Sequence, residues 1–163
     1  YGRELFYHKQ YEYAILILKK FLEEPDGWIE DKLNSCLVLS CCYQAMGENA
    51  AAFDILFYSF TMDVPRAEIC CEIGRLFMEK KEYVTAAYWY QQALLAPRKK
   101  KNGGFYIADS HDFIPAIQMC VCLDKAGRHR EAFEFHKKAR VLKPLHQAVI
   151  GNEKYFRDVW GME

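Results

Sequence analysis

CCEIGRLFMEKKEYVTAAYWYQQALLAP, residues 70–97, is the stretch whose reading decides the fold. It divides at Lys80-Lys81-Glu82 into two segments of helical length. In the second segment Tyr83, Ala86, Ala87, Tyr90 and Ala93 recur at the three- and four-residue intervals of one helix face. The small and large residues of this stretch also recur along the chain at a fixed step. Tyr43, Gly47, Ala52 and Ser59 are matched 34 residues later by Phe77, Lys81, Ala86 and Ala93. Another 46 residues on come Leu123, Gly127, Ala132 and Ala139, the same period with about a dozen residues inserted. Backwards from Ala52 the step is 38, to Ala14. A period of 34 describes a stack of helix pairs. Stacks of this kind bind partners more often than they carry out chemistry.

Working outward, the pattern predicts helices over about 2–8, 11–24, 28–46, 49–61, 66–79, 83–96, 112–126, 129–142 and 145–159, and no strand. Pro25-Asp26-Gly27 breaks the chain, and Gly47 is placed to stop a helix. Pro65 suits the first turn of the next helix, because its missing N–H would be unpaired there, and Pro144 is read as opening the last helix. The expected fold is all-α, a right-handed α-solenoid of about four helix pairs plus a C-terminal capping helix. Residues 1–163 form one repeat domain, with repeats at 1–25 (partial), 28–64, 66–97 and 112–144, an insertion at 98–111 and a cap at 145–160. Small residues (Ser40, Gly74, Cys120; Ala52, Ala86, Ala132) let backbones approach, and large ones (Tyr43, Phe77, Leu123; Leu56, Tyr90, His136) fill the gaps between pairs. Tyr1-Gly2 falls where the middle of a first helix belongs, so a piece of a longer protein is expected.

Charge is balanced, with 22 basic and 22 acidic residues, which disfavours a nucleic-acid partner. The apolar runs are too short to cross a bilayer. Seven cysteines include the neighbouring pairs Cys41-Cys42 and Cys70-Cys71, whose side chains diverge by about 100° on a helix. No looped Cys-x-x-Cys exists for zinc, so cysteine is read as a small hydrophobe in a reducing, cytoplasmic compartment. His129 and His136 occupy positions where the repeat places packing aromatics, and a core or interface role is preferred to a metal or catalytic one. His111-Asp112 is read as a helix cap rather than a general base. No catalytic, cofactor-binding or metal-binding residue is assigned.

Candidate binding residues lie on the first helix of each pair, which lines the inner side of such a stack. By helical register they are Arg3, Phe6 and Tyr7, then Asn34, Cys41 and Gln44. Glu68, Arg75, Met78 and Glu79 follow, and Val121, Asp124 and Lys125 come last. This mixture suits an extended peptide, with polar groups for its backbone and soft contacts for its side chains; a merely solvated surface is the plainer reading. A second candidate is the insertion, where Lys99, Lys100, Lys101, Phe105 and Tyr106 combine charge with aromatic rings. A simple crossover loop is the alternative there.

Residues 70–97 resemble a tetratricopeptide repeat at Ile73, Gly74, Phe77, Tyr83, Ala86, Tyr90, Ala93 and Pro97, and the repeats at 33–65 and 113–144 do so less completely. A narrower resemblance lies in PRAEICCEIGRLF (65–77), GGF (103–105), FIPAIQMCVCLDKAG (113–127) and NEKYF (152–156). These strings look like the repeat region that follows the catalytic domain of some bacterial family 2 glycosyltransferases. The resemblance implies a non-catalytic domain that recognises an acceptor protein, its own catalytic domain or a second copy. Such enzymes hold a divalent metal and the nucleotide-sugar on an Asp-x-Asp element, and this chain contains none. Metal and sugar nucleotide would then belong to a separate catalytic domain. The alternative expectation is a free-standing scaffold or peptide-binding regulator unrelated to sugar transfer.

Overall fold

The computed structural model describes residues 2–98 and 106–162, and every regular element among them is a helix. These residues fall into two compact units. The first runs to residue 65 and contains α1 (Gly2–Tyr7), α2 (Tyr11–Glu23), α3 (Ile29–Ala45) and α4 (Asn49–Tyr58). A short 3-10 turn, Ser59–Thr61, ends α4, where one continuous helix to 61 was expected. The second unit comprises 66–98 and 107–162. It contains α5 (Ala67–Glu79), α6 (Tyr83–Leu95), a 3-10 turn at Ala108–His111, α7 (Phe113–Lys125), α8 (His129–Leu142) and α9 (Gln147–Trp160).

The turns inside the four helix pairs are built alike. Lys9, Gly47, Lys81 and Gly127 all have positive φ, at 58°, 79°, 61° and 78°. In each turn the next N–H reaches back to a carbonyl five residues earlier: Gln10 to Leu5, Glu48 to Tyr43, Glu82 to Phe77 and Arg128 to Leu123, all at 2.8–2.9 Å. The N–H of the positive-φ residue itself closes on Phe6, Gln44, Met78 or Asp124. This double closure is the Schellman arrangement, which satisfies carbonyls that the helix end leaves open. The sequence period is therefore a period of turns as well as of packing faces, and Lys9 extends it to the first pair.

Close approach between paired helices depends on the small residues. Ser40, Ala52, Ala86 and Ala132 are fully buried. At Gly74 an added Cβ would sit 3.0 Å from the Tyr90 ring, so the bare backbone of α5 makes room for that ring. In the first unit Leu18, Leu22, Cys36 and Leu39 form the buried core. In the second, Tyr90, Met119, Cys120, Cys122, Leu123 and Phe156 belong to one cluster, so α9 packs into the same core as α5 to α8.

Two proline expectations change in detail. Pro65 precedes Arg66, the N-cap of α5, and Pro144 lies two residues before His146, the N-cap of α9. Both prolines shape the approach to a helix rather than its first turn. The described end of the 98–111 insertion is anchored within its own unit. The Ile107 N–H donates to the Glu68 carboxylate at 2.7 Å, the Cys71 thiol to the Ser110 carbonyl at 3.4 Å, and Arg98 to Asp112 at 3.2 Å. Lys143 pairs with Asp109. This short strap is thereby pinned to α5 and α8 of its own unit. No helix among the described residues is long and apolar enough to cross a membrane.

Candidate functional site

In the first unit the expected binding residues sit on α3. Asn34 is half-buried and shares a cleft of about 330 Å³ with Arg3, Asp31, Ser35 and an apolar floor that includes Leu18, Phe21 and Val38. Cys41 is half-buried, and the Gln44 amide donates to the Ser40 hydroxyl at 3.1 Å. Gln44 thus spends one of its donors inside its own helix. Phe6 is also half-buried, between the rings of Tyr7 and Tyr11.

In the second unit the placements divide. Glu68 was expected on the open face, and the structure corrects this: it is only 5% exposed. Its carboxylate accepts the Ile107 N–H and stands 3.6 Å from Nε2 of His111, whose side chain is equally buried. The strap covers Glu68, and helical register alone could not foresee that cover. The cap expected from His111-Asp112 is made by Asp112, whose carboxylate accepts the Phe113 N–H at 2.6 Å.

Arg75 does lie at the surface, but its charge is not available alone. Glu72 takes its guanidinium through two nitrogens, Nε at 2.9 Å among them, and Glu79 takes a third. Two carboxylates of the same helix thus share one guanidinium. Met78, one turn along, is half-buried and accepts a hydrogen bond from the Tyr90 hydroxyl at 3.5 Å. Burial pushes that hydroxyl's pKa far up, so Tyr90 stays a neutral donor.

Asp124 is the least expected case. One carboxylate oxygen meets Nδ1 of His129 at 2.7 Å, and the other accepts the Tyr155 hydroxyl at 2.9 Å. That hydroxyl accepts in turn from the Trp160 indole at 3.2 Å. The Trp160 ring closes the circuit by stacking on His129, with centroids 3.8 Å apart. Asp124 therefore clasps α9 to the α7–α8 turn. His129, expected as a core or interface histidine, is a partly exposed member of this clasp and packs on Trp160 of α9. Beside it a cleft of about 200 Å³ is lined by Cys120, Val121, Asp124, Lys125, Asn152, Tyr155 and Phe156. Sequence reading missed Glu72, Tyr155 and Trp160. The three-residue step from Glu72 to Arg75 was a readable signal, whereas nothing local ties Asp124 to residues 31 and 36 positions away.

Of the insertion candidates, Lys99, Lys100, Lys101 and Phe105 lie outside the described residues, and Tyr106 is exposed. Among the described residues no three His, Cys, Asp or Glu side chains are grouped to hold a metal ion. All seven cysteines are free thiols. Burial lifts Cys36, Cys70, Cys120 and Cys122 to about 12, so they pack as neutral hydrophobes.

The sequence matches no protein-family profile and no curated protein. Solved structures match in shape. MamA (AMB-1) superposes over 98% of this chain and 79% of its own, with a TM-score of 0.68 and 18% identity. Another MamA crystal structure covers 96% of this chain and 86% of its own, at 0.69 and 21% identity. PilF of Pseudomonas aeruginosa covers 95% and 64%, at 0.64 and 18% identity. The fold is a tetratricopeptide-type α-solenoid. At these identities the likeness speaks for the fold alone, and it does not bear on the glycosyltransferase resemblance.

Proposed function

We propose that this chain is a protein-interaction domain that holds an extended peptide against α5 and α7 of its second unit. The observation that carries this reading is the Glu72–Arg75–Glu79 group, a polar cluster held by ion pairs on a first-helix face, with Met78 beside it. Preorganised side chains lose little freedom when a ligand arrives. The Asp124–Lys125 cleft on α7 adds apolar contact from Val121 and a free-ended lysine. Titration of the chain with labelled peptides of about ten residues, read by fluorescence anisotropy, tests it. Saturable binding weakened about tenfold by Arg75→Ala, or about 1.4 kcal/mol, is expected. Equal affinity in Arg75→Ala and Asn34→Ala variants for every binding peptide counts against any groove on the first helices.

A finer reading makes this the recognition domain of a bacterial family 2 glycosyltransferase, acting in the cytoplasm on an acceptor protein. Its support is the set of strings at 65–77, 103–105, 113–127 and 152–156, together with the seven unpaired thiols for the compartment. A divalent metal and a nucleotide-sugar would be held by a catalytic domain of the same polypeptide. Sequencing the reading frame ahead of Tyr1 tests this part separately. An α/β domain with Asp-x-Asp is expected, and its absence leaves a free-standing scaffold.

A further inference from the structure

Three rings meet at the joint between α8 and α9. Phe133 and His136 of α8 and Phe156 of α9 form a triangle whose centroids lie 5.3–5.8 Å apart. His136 is the odd member. It is fully buried, and neither ring nitrogen has a hydrogen-bond partner. The two phenyl rings lie alongside it, at 27° and 34° to its plane, so neither turns its face toward the in-plane nitrogens. A neutral imidazole already leaves one N–H and one lone pair unmet here, and a proton adds a charge and a second unmet donor. α9 is the lighter partner in this joint. Its buried residues are Val149 and Phe156, against eight in α7. Its other ties are polar: Arg140 to Glu153 at 2.8 Å, the Asn152 amide to the Cys120 sulfur at 3.5 Å, and the Asp124 clasp.

We propose that His136 makes this joint proton-operated: protonation of its imidazole releases α9 while α5 to α7 stay packed. In the intact joint an imidazolium has no acceptor and is shut off from water, whereas after release both N–H groups reach solvent. The surrounding charges do not remove that penalty. Burial lowers the pKa of His136 most, Glu153 of α9 raises it and Arg140 of α8 lowers it, and the last two pair with each other. Lys137 pairs with Glu134 on the outside of α8. On α7, the other helix packed on α8, burial keeps Cys120 and Cys122 neutral, and His129 and Tyr155 take the Asp124 carboxylate. Lys125, Lys138, Lys154, Arg157 and Asp158 are exposed. The released imidazole takes its proton near pH 6.5, the docked one only at lower pH. The joint is therefore whole above pH 6.5, and below it release gains up to about tenfold per pH unit until the docked ring itself titrates. Release carries Asn152, Tyr155 and Phe156 away from the α7 cleft, so acid dismantles that site. The release itself does not depend on what the cleft binds.

Cys120 is the reporter, because its thiol is 1% exposed and lies against Asn152 of α9. Its reaction with dithiodipyridine, located by fragmentation mass spectrometry, is measured at about pH 7.5 and about pH 5.5. Each rate is divided by that of the same thiol in the urea-unfolded chain at that pH. The relative rate at Cys120 is expected to rise about tenfold on acidification, while Cys36 and Cys70 stay protected. His136→Phe and His136→Leu, with folding confirmed by circular dichroism, should flatten this response. His129→Gln should keep it, which separates the clasp histidine from the buried one. Equal protection of Cys120 at both pH values overturns the proposal. So does exposure of Cys36 and Cys70 together with Cys120, which is global unfolding. A response that survives in a folded His136 variant, or that His129→Gln abolishes, overturns it as well.

Discussion

Single residues reveal where the repeat is under strain and where it is not. Lys81 adopts the left-handed conformation at the position filled by Gly47 and Gly127 in neighbouring repeats. That conformation costs a side-chain-bearing residue roughly 1–2 kcal/mol, partly offset by the greater freedom of glycine when unfolded. Lys81→Gly is therefore expected to raise stability by about 0.5–1 kcal/mol, read from the urea midpoint. Gly74→Ala should go the other way by about 1–3 kcal/mol, because its methyl would press on the Tyr90 ring at 3.0 Å. His136 is a different case. It is fully buried between Phe133 and Phe156, and neither ring nitrogen has a hydrogen-bond partner. Burial holds its pKa below 6.5; Arg140 adds to the depression and Glu153 opposes it. The unfolded chain accepts a proton here that the folded chain resists, so stability is whole above pH 6.5 and declines as pH falls below it. The melting temperature should drop more between about pH 7.5 and 5.5 in the wild type than in His136→Phe. Equal drops would show that other groups set the acid response.

At the level of elements, the last helix is held by few but specific contacts. Val149 and Phe156 bury its inner side, and Arg140 meets Glu153 at 2.8 Å. The Asp124–His129–Tyr155–Trp160 clasp closes its far end. Tyr155→Phe keeps the ring and removes two hydrogen bonds, the charge-assisted one to Asp124 and the one accepted from Trp160, a loss of about 1–3 kcal/mol. The loss should be local, appearing as faster amide hydrogen exchange in residues 150–160 with little change in α5 or α6. Uniform acceleration across the second unit would instead make the clasp part of the global core. The location of α9 was legible from Val149, Tyr155 and Phe156 at helical spacing. Its fastening was not, because the clasp joins two stretches that no periodicity connects.

For the whole molecule, the two compact units each carry their own buried cluster. Repeat stacks gain stability pair by pair from neighbouring helices, so a unit with several pairs and a covering helix can stand alone. A chain of residues 66–163 is expected to be helical by circular dichroism and to melt in one cooperative step. A broad, non-cooperative melt would mean that this unit's core depends on residues 1–65.

The sequence by itself determined the helix pairs, their turns and the small residues between them. Each of these depends on neighbours within about one repeat, where period, propensity and the demand for positive φ act directly. Which candidate side chains remained at the surface was decided only by tertiary structure. Glu68 is covered by a strap 39 residues away in sequence, and Asp124 is taken by a tyrosine 31 residues away. Arg75 lies between, since Glu72 and Glu79, which hold its guanidinium, share its own helix. A residue's face follows from local geometry, but its freedom depends on what the rest of the chain brings against that face.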